Sequence, residues 1–308
     1  MQSLTRRRFL AISACAGAMG TQAFAGAEIT QWRTKALGAQ MTLSLAHPDA
    51  KGVADFVFAE LRRLEGIFSL YQSESALSRL NREGTLAAPP FELLECLGLA
   101  ARVHDATGGL FDPTIQPVWS AYARGRPGSA PDPEGIKRAR ALVGWQDVTF
   151  DSQSIRFGRT GMAITLNGIA QGYIADRIAK LLKRQGLTDV MVDTGELRAL
   201  GGHPRGGDWP VTLETVDGGP AGKVQLRNAA MATSAPAGTR FALIGEPGHI
   251  LDPSTGLPTR ASWRLVSVTG PSAAVADGLS TALCLMEDRD TIDSALSGFS
   301  DVSLVHLS

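Results

Sequence analysis

The chain has 308 residues, of which 44% are hydrophobic and 19% charged, and its formal net charge is zero. This length allows one large domain or two small ones, and the balanced charge without basic runs argues against a nucleic-acid-binding surface. Beyond the N-terminus no run of about 18 apolar residues occurs, so nothing else in the sequence is long enough to span a bilayer.

The N-terminus has the pattern of an export signal. Three arginines at residues 6–8 precede Phe-Leu and a mostly apolar run of small residues that ends in Ala-Phe-Ala at residues 23–25. A charged start, an apolar segment and an A-x-A site make up a signal peptide, and the paired arginines are typical of twin-arginine export. We predict a signal peptide over residues 1–25, a single domain over 26–308 and a periplasmic location. Lipid anchoring at Cys15 is disfavoured, because the apolar run before it is too short.

Helical and strand patterns alternate along the first half of the chain. The predicted elements are strands within 29–45, a helix over 49–64, a polar connection over 68–81 that leads into a short helix, a helix over 91–106, a loop-rich region from 110 to 133, a small helix over 134–143 and a hairpin over 148–157. The two prolines at 89–90 open the helix over 91–106, and the two glycines at 108–109 end it.

The second half of the chain is richer in strands. Its predicted elements are a strand over 161–166, a helix ending near 184, strands over 189–193, 197–200, 209–215 and 223–229, an interruption at 231–238, a hairpin from 240–244 and 248–251, a strand over 262–269, helices over 273–286 and 289–296, and a strand over 302–306. Antiparallel strands mixed with separate helices predict an α+β fold, with one compact domain.

The stretch from Thr165 to Asp176 joins a predicted strand to a helix. Asn167 is a candidate N-cap, and Gly168 and Gly172 keep side chains away from the backbone at the junction. A helix start offers unpaired amide groups and a positive dipole end, which suit a phosphate. The alternative is an ordinary tight turn in a mixed α/β core.

Two further stretches contain residues suited to chemistry. His249 lies three residues before Asp252 at the end of a predicted strand, where an imidazole suits a general base, although a lone histidine is often structural. Asp277 and Thr281 are four residues apart and share one helix face, an oxygen pair that suits Mg²⁺ unless Asp277 only caps the helix.

The cysteines that remain after the predicted cleavage are Cys96 and Cys284, both within apolar helical patterns. We predict buried, unpaired thiols. Their spacing neither indicates nor excludes a disulfide. No cysteine cluster of the kind that binds zinc occurs in the sequence.

Five motifs occur in one order along the chain. They are Leu-Phe-Asp-Pro-Thr-Ile from 110, Asn-Gly-Ile-Ala-Gln-Gly-Tyr-Ile-Ala-Asp from 167, Ala-Thr-Ser from 232, His-Ile-Leu-Asp-Pro-Ser-Thr-Gly-Leu-Pro from 249 and Ala-Asp-Gly-Leu-Ser-Thr-Ala from 276. Their order and spacing resemble the ApbE family, the periplasmic FAD:protein FMN transferases, over about residues 37–286. The resemblance implies an ApbE-like (T-fold-like) α+β domain that binds FAD and Mg²⁺.

The resemblance also implies roles for individual residues. FMN would be esterified to a Ser or Thr of an acceptor protein and AMP would depart. Mg²⁺ would be held by the Gly168 carbonyl, Asp277 and Thr281, with Ser280 beside them. His249 would be the base, a role that Asp277 could share. The flavin nucleotide would contact Leu37, Tyr71, Leu110, Phe111, Asp112, Thr165, Gln171 and Leu251, with Thr233 and Ser234 near the phosphates.

Two positions depart from the usual family pattern. Thr165 stands where an acid is usual, and Gln171 where a Lys or Glu is usual. The variant pattern resembles the branch associated with nitrous-oxide respiration, whose acceptor is a membrane-associated electron-transfer flavoprotein. The runner-up hypothesis is an exported FAD-binding protein that stores or presents flavin without catalysis; the departure at Thr165 favours it, whereas Asp277, Thr281 and His249 favour the enzyme.

Overall fold

The computed structural model describes residues 10–12 and 28–308. The predicted signal peptide over 1–25 lies outside these residues, apart from Leu10–Ile12, whose backbone forms a short strand. Within the described ranges, no helix combines the length and apolar character needed to cross a membrane.

The helices and strands follow in chain order. The helices are α1 Ala50–Phe68, α2 Ala76–Glu83, α3 Phe91–Ala106, α4 Gln116–Ala123, α5 Pro133–Arg140, α6 Ala170–Arg184, α7 Ala273–Leu283 and α8 Arg289–Ser297. The strands are β1 Leu10–Ile12, β2 Thr30–Ala36, β3 Ala39–Leu45, β4 Thr85–Ala87, β5 Val148–Phe150, β6 Ser154–Phe157, β7 Val190–Asp193, β8 Leu197–Leu200, β9 Trp209–Glu214, β10 Pro220–Leu226, β11 Ala230–Ser234, β12 Val266–Gly270 and β13 Ser303–Leu307.

A seven-stranded sheet organises the domain. Its strand order is β13-β12-β11-β8-β7-β3-β2, and each neighbouring pair is antiparallel. The β2–β3 hairpin turns through Leu37 and Gly38, which have φ values of 50° and 74°. Positive φ at both positions matches the two-residue turn that follows the twist of a hairpin. The α+β prediction is confirmed.

Three separate groups of buried side chains stabilise the fold. The largest lies between the seven-stranded sheet and helices α1, α3, α6 and α7, and a second packs the Trp209 strand β9 against the sheet. The third joins helices α4 and α5 to the segment 241–251 and includes Tyr122 and Ile136. We call this third group, with α4, α5 and residues 236–258, the small lobe.

The prediction of a strand over 161–166 is wrong. The chain is extended there, but Asn81 takes the place of a neighbouring strand, since its amide donates to the Ile164 carbonyl at 2.8 Å and its oxygen accepts from the Ile164 amide at 2.8 Å. The next amide, that of Thr165, donates to the Pro113 carbonyl at 2.8 Å. A side chain thus satisfies backbone groups that normally pair in a sheet.

Three other local predictions differ from the structure. Residues 231–238, predicted to interrupt the strands, begin inside β11, which pairs with β12 and β8. The loop-rich region contains α4, which has Pro117 in its first turn, a position that proline tolerates. The predicted hairpin near 240–251 reduces to single bridges, Arg240 with Gly248 and Leu251 with Pro258.

The two cysteines of the described chain match their prediction. Cys96 and Cys284 are free and fully buried. Burial raises the pKa of both thiols above the ordinary value, because a thiolate loses its hydration in an apolar core. They therefore act as small hydrophobic residues of the core.

Candidate active site

A cleft between the large core and the small lobe gathers most of the residues singled out in the sequence. Twelve of the fifteen line it: Leu37, Tyr71, Leu110, Phe111, Asp112, Thr165, Gly168, Gln171, Ser234, His249, Leu251 and Thr281. They come from seven separated parts of the chain. Their convergence in one concave surface is the pattern of a ligand site.

The other three residues lie behind the cleft wall. Asp277 and Ser280 are buried on α7, and Thr233 is buried on β11. The Thr233 hydroxyl lies 2.9 Å from the Ser267 hydroxyl on β12, whereas its neighbour Ser234 lines the cleft. Successive strand residues point to opposite faces, so Ser234 is the hydroxyl of this pair that the structure presents to a ligand.

The start of α6 is capped by a residue from another helix. The N-cap position is Ile169, without a side-chain cap, so the prediction that Asn167 caps this helix is wrong. Instead the Gly172 amide donates to the Asp277 carboxylate, with 3.3 Å between nitrogen and Oδ2. A carboxylate at a helix N-terminus is stabilised by the unpaired amides and the helix dipole. A buried protein carboxylate thus occupies part of the helix start that the sequence suggested for a phosphate.

Glycine at position 172 lets α6 and α7 approach each other closely. A Cβ atom there would lie 2.2 Å from the Ala273 carbonyl oxygen and 2.7 Å from the Ala274 nitrogen. Both are backbone atoms, which cannot move away without shifting the helix. The contact fixes the relative position of the two helices and so places Asp277 beside the glycine turn at 167–169.

Asp176 fixes the same pair of helices one turn further along α6. It accepts from the Ser272 hydroxyl at 2.7 Å and from the amides of Ala273 and Ala274 at 3.0 and 3.1 Å. The Arg198 guanidinium lies 3.2 Å away. Burial raises the pKa of Asp176 on balance, while these donors favour its charged form. The N-terminus of α7 is therefore tied to the side of α6.

Hydroxyl groups from β11 and α7 meet at the base of the cleft. The Ser234 oxygen lies 2.8 Å from that of Ser280 and 3.4 Å from that of Thr281. A Cβ atom on Gly168 would lie 3.0 Å from the Thr281 oxygen, so the glycine turn directly adjoins this cluster.

The donor chemistry at this position fits a hard cation. One buried carboxylate, several hydroxyl oxygens and the backbone carbonyl groups of the glycine turn are oxygen donors of the kind that Mg²⁺ prefers. Within residues 28–308, no group of three or more His, Cys, Asp or Glu forms a metal cluster. A cation here would therefore depend on hydroxyl and carbonyl oxygens besides the single carboxylate, as well as on oxygens of a bound substrate.

His249 lies on the wall formed by the small lobe. Its ring Nδ1 is 3.1 Å from the Thr239 carbonyl oxygen, and its amide donates to the same carbonyl at 3.2 Å. Because a carbonyl can only accept, this contact assigns the ring proton to Nδ1 and makes Nε2 the acceptor nitrogen. The side chain is half-buried and lines the cleft, a position suited to taking a proton there.

Gln171 places an amide group in the cleft wall. Its side-chain nitrogen donates to the main-chain carbonyl of Thr194 at 2.9 Å. The Thr194 hydroxyl in turn donates to the main-chain carbonyl of Gln171 at 2.9 Å. Among the described residues its side-chain oxygen is buried without a hydrogen-bond partner. An unsatisfied buried acceptor costs about 1–3 kcal/mol, so this oxygen marks a place where a ligand donor would be stabilising.

Several cleft residues were missed at the sequence level. Trp119 and Ile115 belong to the region predicted as loop, and Thr239 and Pro253 flank His249 in the small lobe. The spacing of Val118 and Tyr122, with a proline in the first turn, is the signal that indicates α4. Nothing local marks Thr239, because its role depends on the chain folding back onto His249.

Comparisons with known proteins agree on one family. The model described as the ApbE family matches residues 33–300. The FAD:protein FMN transferase of Haemophilus influenzae is 30% identical over 254 residues, which cover 77% of this chain and 73% of the relative. The FAD:protein FMN transferase of Vibrio cholerae is 29% identical, covering 78% and 75%.

Solved structures show the same relationship. The flavin transferase ApbE from Vibrio cholerae superposes with a TM-score of 0.80 at 25% identity, over 91% of this chain and 94% of that one. The apo form of the Pseudomonas stutzeri flavinyl transferase ApbE gives a TM-score of 0.77 at 27% identity, over 90% of each chain.

Proposed function

The chain belongs to the ApbE family of flavin transferases, and from this premise we propose a Mg²⁺-dependent reaction that moves FMN from FAD to a Ser or Thr hydroxyl of an acceptor protein. AMP is the leaving group. The observation that carries the proposal is the convergence of twelve predicted site residues on one cleft, with His249 on one wall and Thr281 on the other.

The bond changes define what the cleft has to do. The acceptor oxygen attacks the phosphorus on the FMN side of the pyrophosphate, and a new phosphorus–oxygen bond forms. The bond from that phosphorus to the bridging oxygen breaks, and its electrons leave with AMP. The hydroxyl proton goes to a base. Most of the catalysis in phosphoryl transfer comes from positioning and charge stabilisation.

His249 is the base in this proposal. Its Nδ1 proton is directed at the Thr239 carbonyl, so Nε2 is the nitrogen that takes the proton of the acceptor hydroxyl. An imidazole titrates near neutral pH and suits this role. Asp277, by contrast, is only 2% exposed and contacts the α6 amide of Gly172, which supports a holding role for its carboxylate.

The oxygen cluster would hold the cation. Asp277, Thr281 and the Gly168 carbonyl are the proposed donors, with Ser280 beside them. Bound Mg²⁺ would neutralise negative charge on the pyrophosphate. Ser234 contacts both α7 hydroxyls and so supports their orientation while its own oxygen faces the cleft.

The remaining cleft residues suit a flavin nucleotide. Leu37, Leu110, Phe111 and Leu251 are apolar side chains of its walls, and Tyr71, which is 61% exposed, covers Gly38 at the rim. Flat aromatic ligands bind in clefts of this composition. The polar contacts in the proposal come from Asp112, Thr165 and the unsatisfied Gln171 oxygen.

The test is a transfer assay with product analysis. Purified protein is incubated with FAD, Mg²⁺ and a candidate acceptor, and covalent flavin is measured by in-gel fluorescence while AMP is measured by chromatography. We expect both products in equal amounts, and we expect Asp277→Ala to abolish transfer and weaken Mg²⁺ binding in calorimetric titration. Exposed Asp290→Ala is the control. FAD binding without either product would instead support the flavin-storage alternative.

We also propose that residues 1–25 direct export through the twin-arginine route and that the acceptor is a membrane-associated electron-transfer flavoprotein. Mass measurement of the protein from a periplasmic fraction tests the first point, with cleavage after Ala25 as the expected result. Replacement of the arginines at 6 and 7 by lysine should leave the protein in the cytoplasm. Periplasmic protein that starts at Met1 would contradict cleavage after Ala25.

A further inference from the structure

A second concave surface lies on the far side of the segment that carries His249. Residues 249–251 and Pro253 line the cleft, whereas Thr255, Leu257 and Pro258 line this second surface. The chain folds back between them, because Leu251 and Pro258 form an isolated bridge. We call the second surface the α5 groove and define it by Ile136, Lys137, Arg140, Ile244, Leu257 and Pro258.

The floor of the α5 groove is apolar and open to solvent. Ile244 is 64% exposed and Leu257 is 40% exposed. Six large hydrophobic side chains are exposed in the described chain, and two of them, Ile244 and Leu257, line this one surface. Neighbouring exposed apolar residues mark interaction sites.

The rim of the α5 groove is positively charged. Lys137 and Arg140 line it together with Ile136, and no carboxylate belongs to the lining. Arg140 donates to the Ser254 carbonyl, which leaves its charge unneutralised, and Lys137 has no ion pair with any described residue. Two nearby acids are already engaged: Asp132 lies 3.8 Å from Arg138, and Glu246 lies 3.6 Å from Arg240. A third acid, Glu134 in the first turn of α5, is exposed and lies outside the lining.

An acceptor protein needs a surface outside the cleft. Only one hydroxyl has to reach His249, and a single side chain does not bury the roughly 800 Å² per partner of an ordinary specific interface. Interfaces commonly combine an apolar centre with a polar or charged rim. The α5 groove has this composition and adjoins the base through the 249–258 segment.

We propose that the α5 groove is the docking surface for the acceptor protein, and that it binds an acidic and apolar segment next to the Ser or Thr that receives FMN. Leucine-type side chains of the segment pack on Leu257 and Ile244, and its carboxylates lie against Lys137 and Arg140. This inference rests on the proposed function, because an acceptor is required only if flavin is transferred.

The test uses two labelled peptides of about 15 residues with one central Thr. One carries three Asp and two Leu on one flank, and the other has Lys in place of each Asp. Binding to the FAD-loaded protein is measured by fluorescence anisotropy, and covalent flavin is measured in parallel. We expect the acidic peptide to bind at least about tenfold more tightly than the basic one.

Four variants test where the peptide binds. Lys137→Glu and Leu257→Asp should each weaken binding of the acidic peptide by about tenfold, a hot-spot-sized effect, without changing FAD affinity. Lys180→Glu on α6 and Val305→Asp on β13 are matched controls at exposed positions, and they should change binding by less than about twofold.

The outcomes separate the groove from the reaction. If Lys137→Glu and Leu257→Asp leave flavin transfer to the acidic peptide unchanged, the docking proposal is wrong and the proposed transfer reaction still stands. Equal binding of both peptides, or no binding, also overturns it. Binding that depends on the groove but yields neither covalent flavin nor AMP overturns the transfer reaction instead.

Discussion

The two walls of the cleft are fixed by different kinds of contact. The α6–α7 wall is fixed by backbone proximity at Gly172 and by the carboxylate of Asp176, which accepts from the first amides of α7. Among the described residues, the strand pairing in the wall formed by the small lobe is limited to single bridges. Just past the end of this lobe, the Thr259 hydroxyl donates to the Cys284 carbonyl of the large core at 2.7 Å.

This difference matches what each wall would position in the proposed reaction. Oxygen donors for a cation would need a fixed geometry, and regular helices in close contact supply it. The proposed base would have to meet a hydroxyl from another protein, and residues that contact partners commonly lie on loops positioned by a scaffold. His249 is on such a segment, which also forms one side of the α5 groove.

The largest effect is expected from His249→Asn. Loss of a general base lowers the rate about 10²–10⁴-fold, while the asparagine amide can still donate to the Thr239 carbonyl, so FAD affinity and unfolding should change little. Transfer rate and urea unfolding are measured together. His47→Asn, at an exposed position, is the control. Full activity in His249→Asn would contradict the role of His249 as the base and favour a residue of the α6–α7 wall instead.

Gly172→Ala tests how closely the α6–α7 wall is packed. The new methyl group would meet the Ala273 carbonyl oxygen at 2.2 Å, and overpacking of this kind costs about 3 kcal/mol. The free energy of unfolding in urea checks it. Gly66→Ala is the matched control, since nothing lies within 4 Å of the added Cβ and alanine in a helix stabilises by about 0.5–1 kcal/mol. Equal effects of the two substitutions would show that α6 and α7 are loosely packed.

Asp176→Ala removes the acceptor for the first amides of α7. Loss of a cap costs about 2 kcal/mol at most, and we expect Mg²⁺ affinity in calorimetric titration to fall with it because Asp277 lies on the same helix. Asp176→Asn should recover part of the affinity. The control is Asp293→Ala, which removes an exposed ion pair with Arg289. It should lower the free energy of unfolding by less than about 0.5 kcal/mol. Unchanged Mg²⁺ affinity in Asp176→Ala would show that cation binding does not depend on the cap that Asp176 gives α7.

Thr259→Val gives the smallest expected effect and tests the attachment of the small lobe. The valine leaves the Cys284 carbonyl without its hydroxyl donor, a loss of about 1 kcal/mol. Thr85→Val on β4, where the side chain is exposed, is the control and should be near neutral. If the transfer rate falls although the free energy of unfolding changes by no more than expected, the contact positions His249.

Local patterns predicted the regular elements well where their end signals were complete. The helix over 91–106 was predicted with its observed bounds, because prolines precede it and glycines follow it. The extended stretch at 161–166 has the apolar pattern of a strand, but its actual partner is the side chain of Asn81, which lies 83 residues from Ile164 in the sequence. A pattern of apolar residues indicates an extended chain, but it does not indicate what satisfies its backbone.

Which residues line the cleft was more predictable from the sequence than how they are arranged. The motifs placed His249 and Gln171 among the site residues, and both line the cleft. That Asp277 caps α6 could not be read from the sequence, because 105 residues separate it from Gly172. Asn167, the local candidate for that cap, has the right chemistry, and only the tertiary contact decides between the two.

The separate hydrophobic cluster of the small lobe has a consequence for how such a protein can diverge. Val118, Phe241 and Leu243 pack with one another and not within the large core. Substitutions without shared partners act almost independently, so the lobe can exchange its outer residues while the sheet and the helices packed on it keep their packing. Chimeras that swap residues 113–143 and 236–258 between relatives would therefore be expected to redirect the choice of acceptor and retain the same flavin donor.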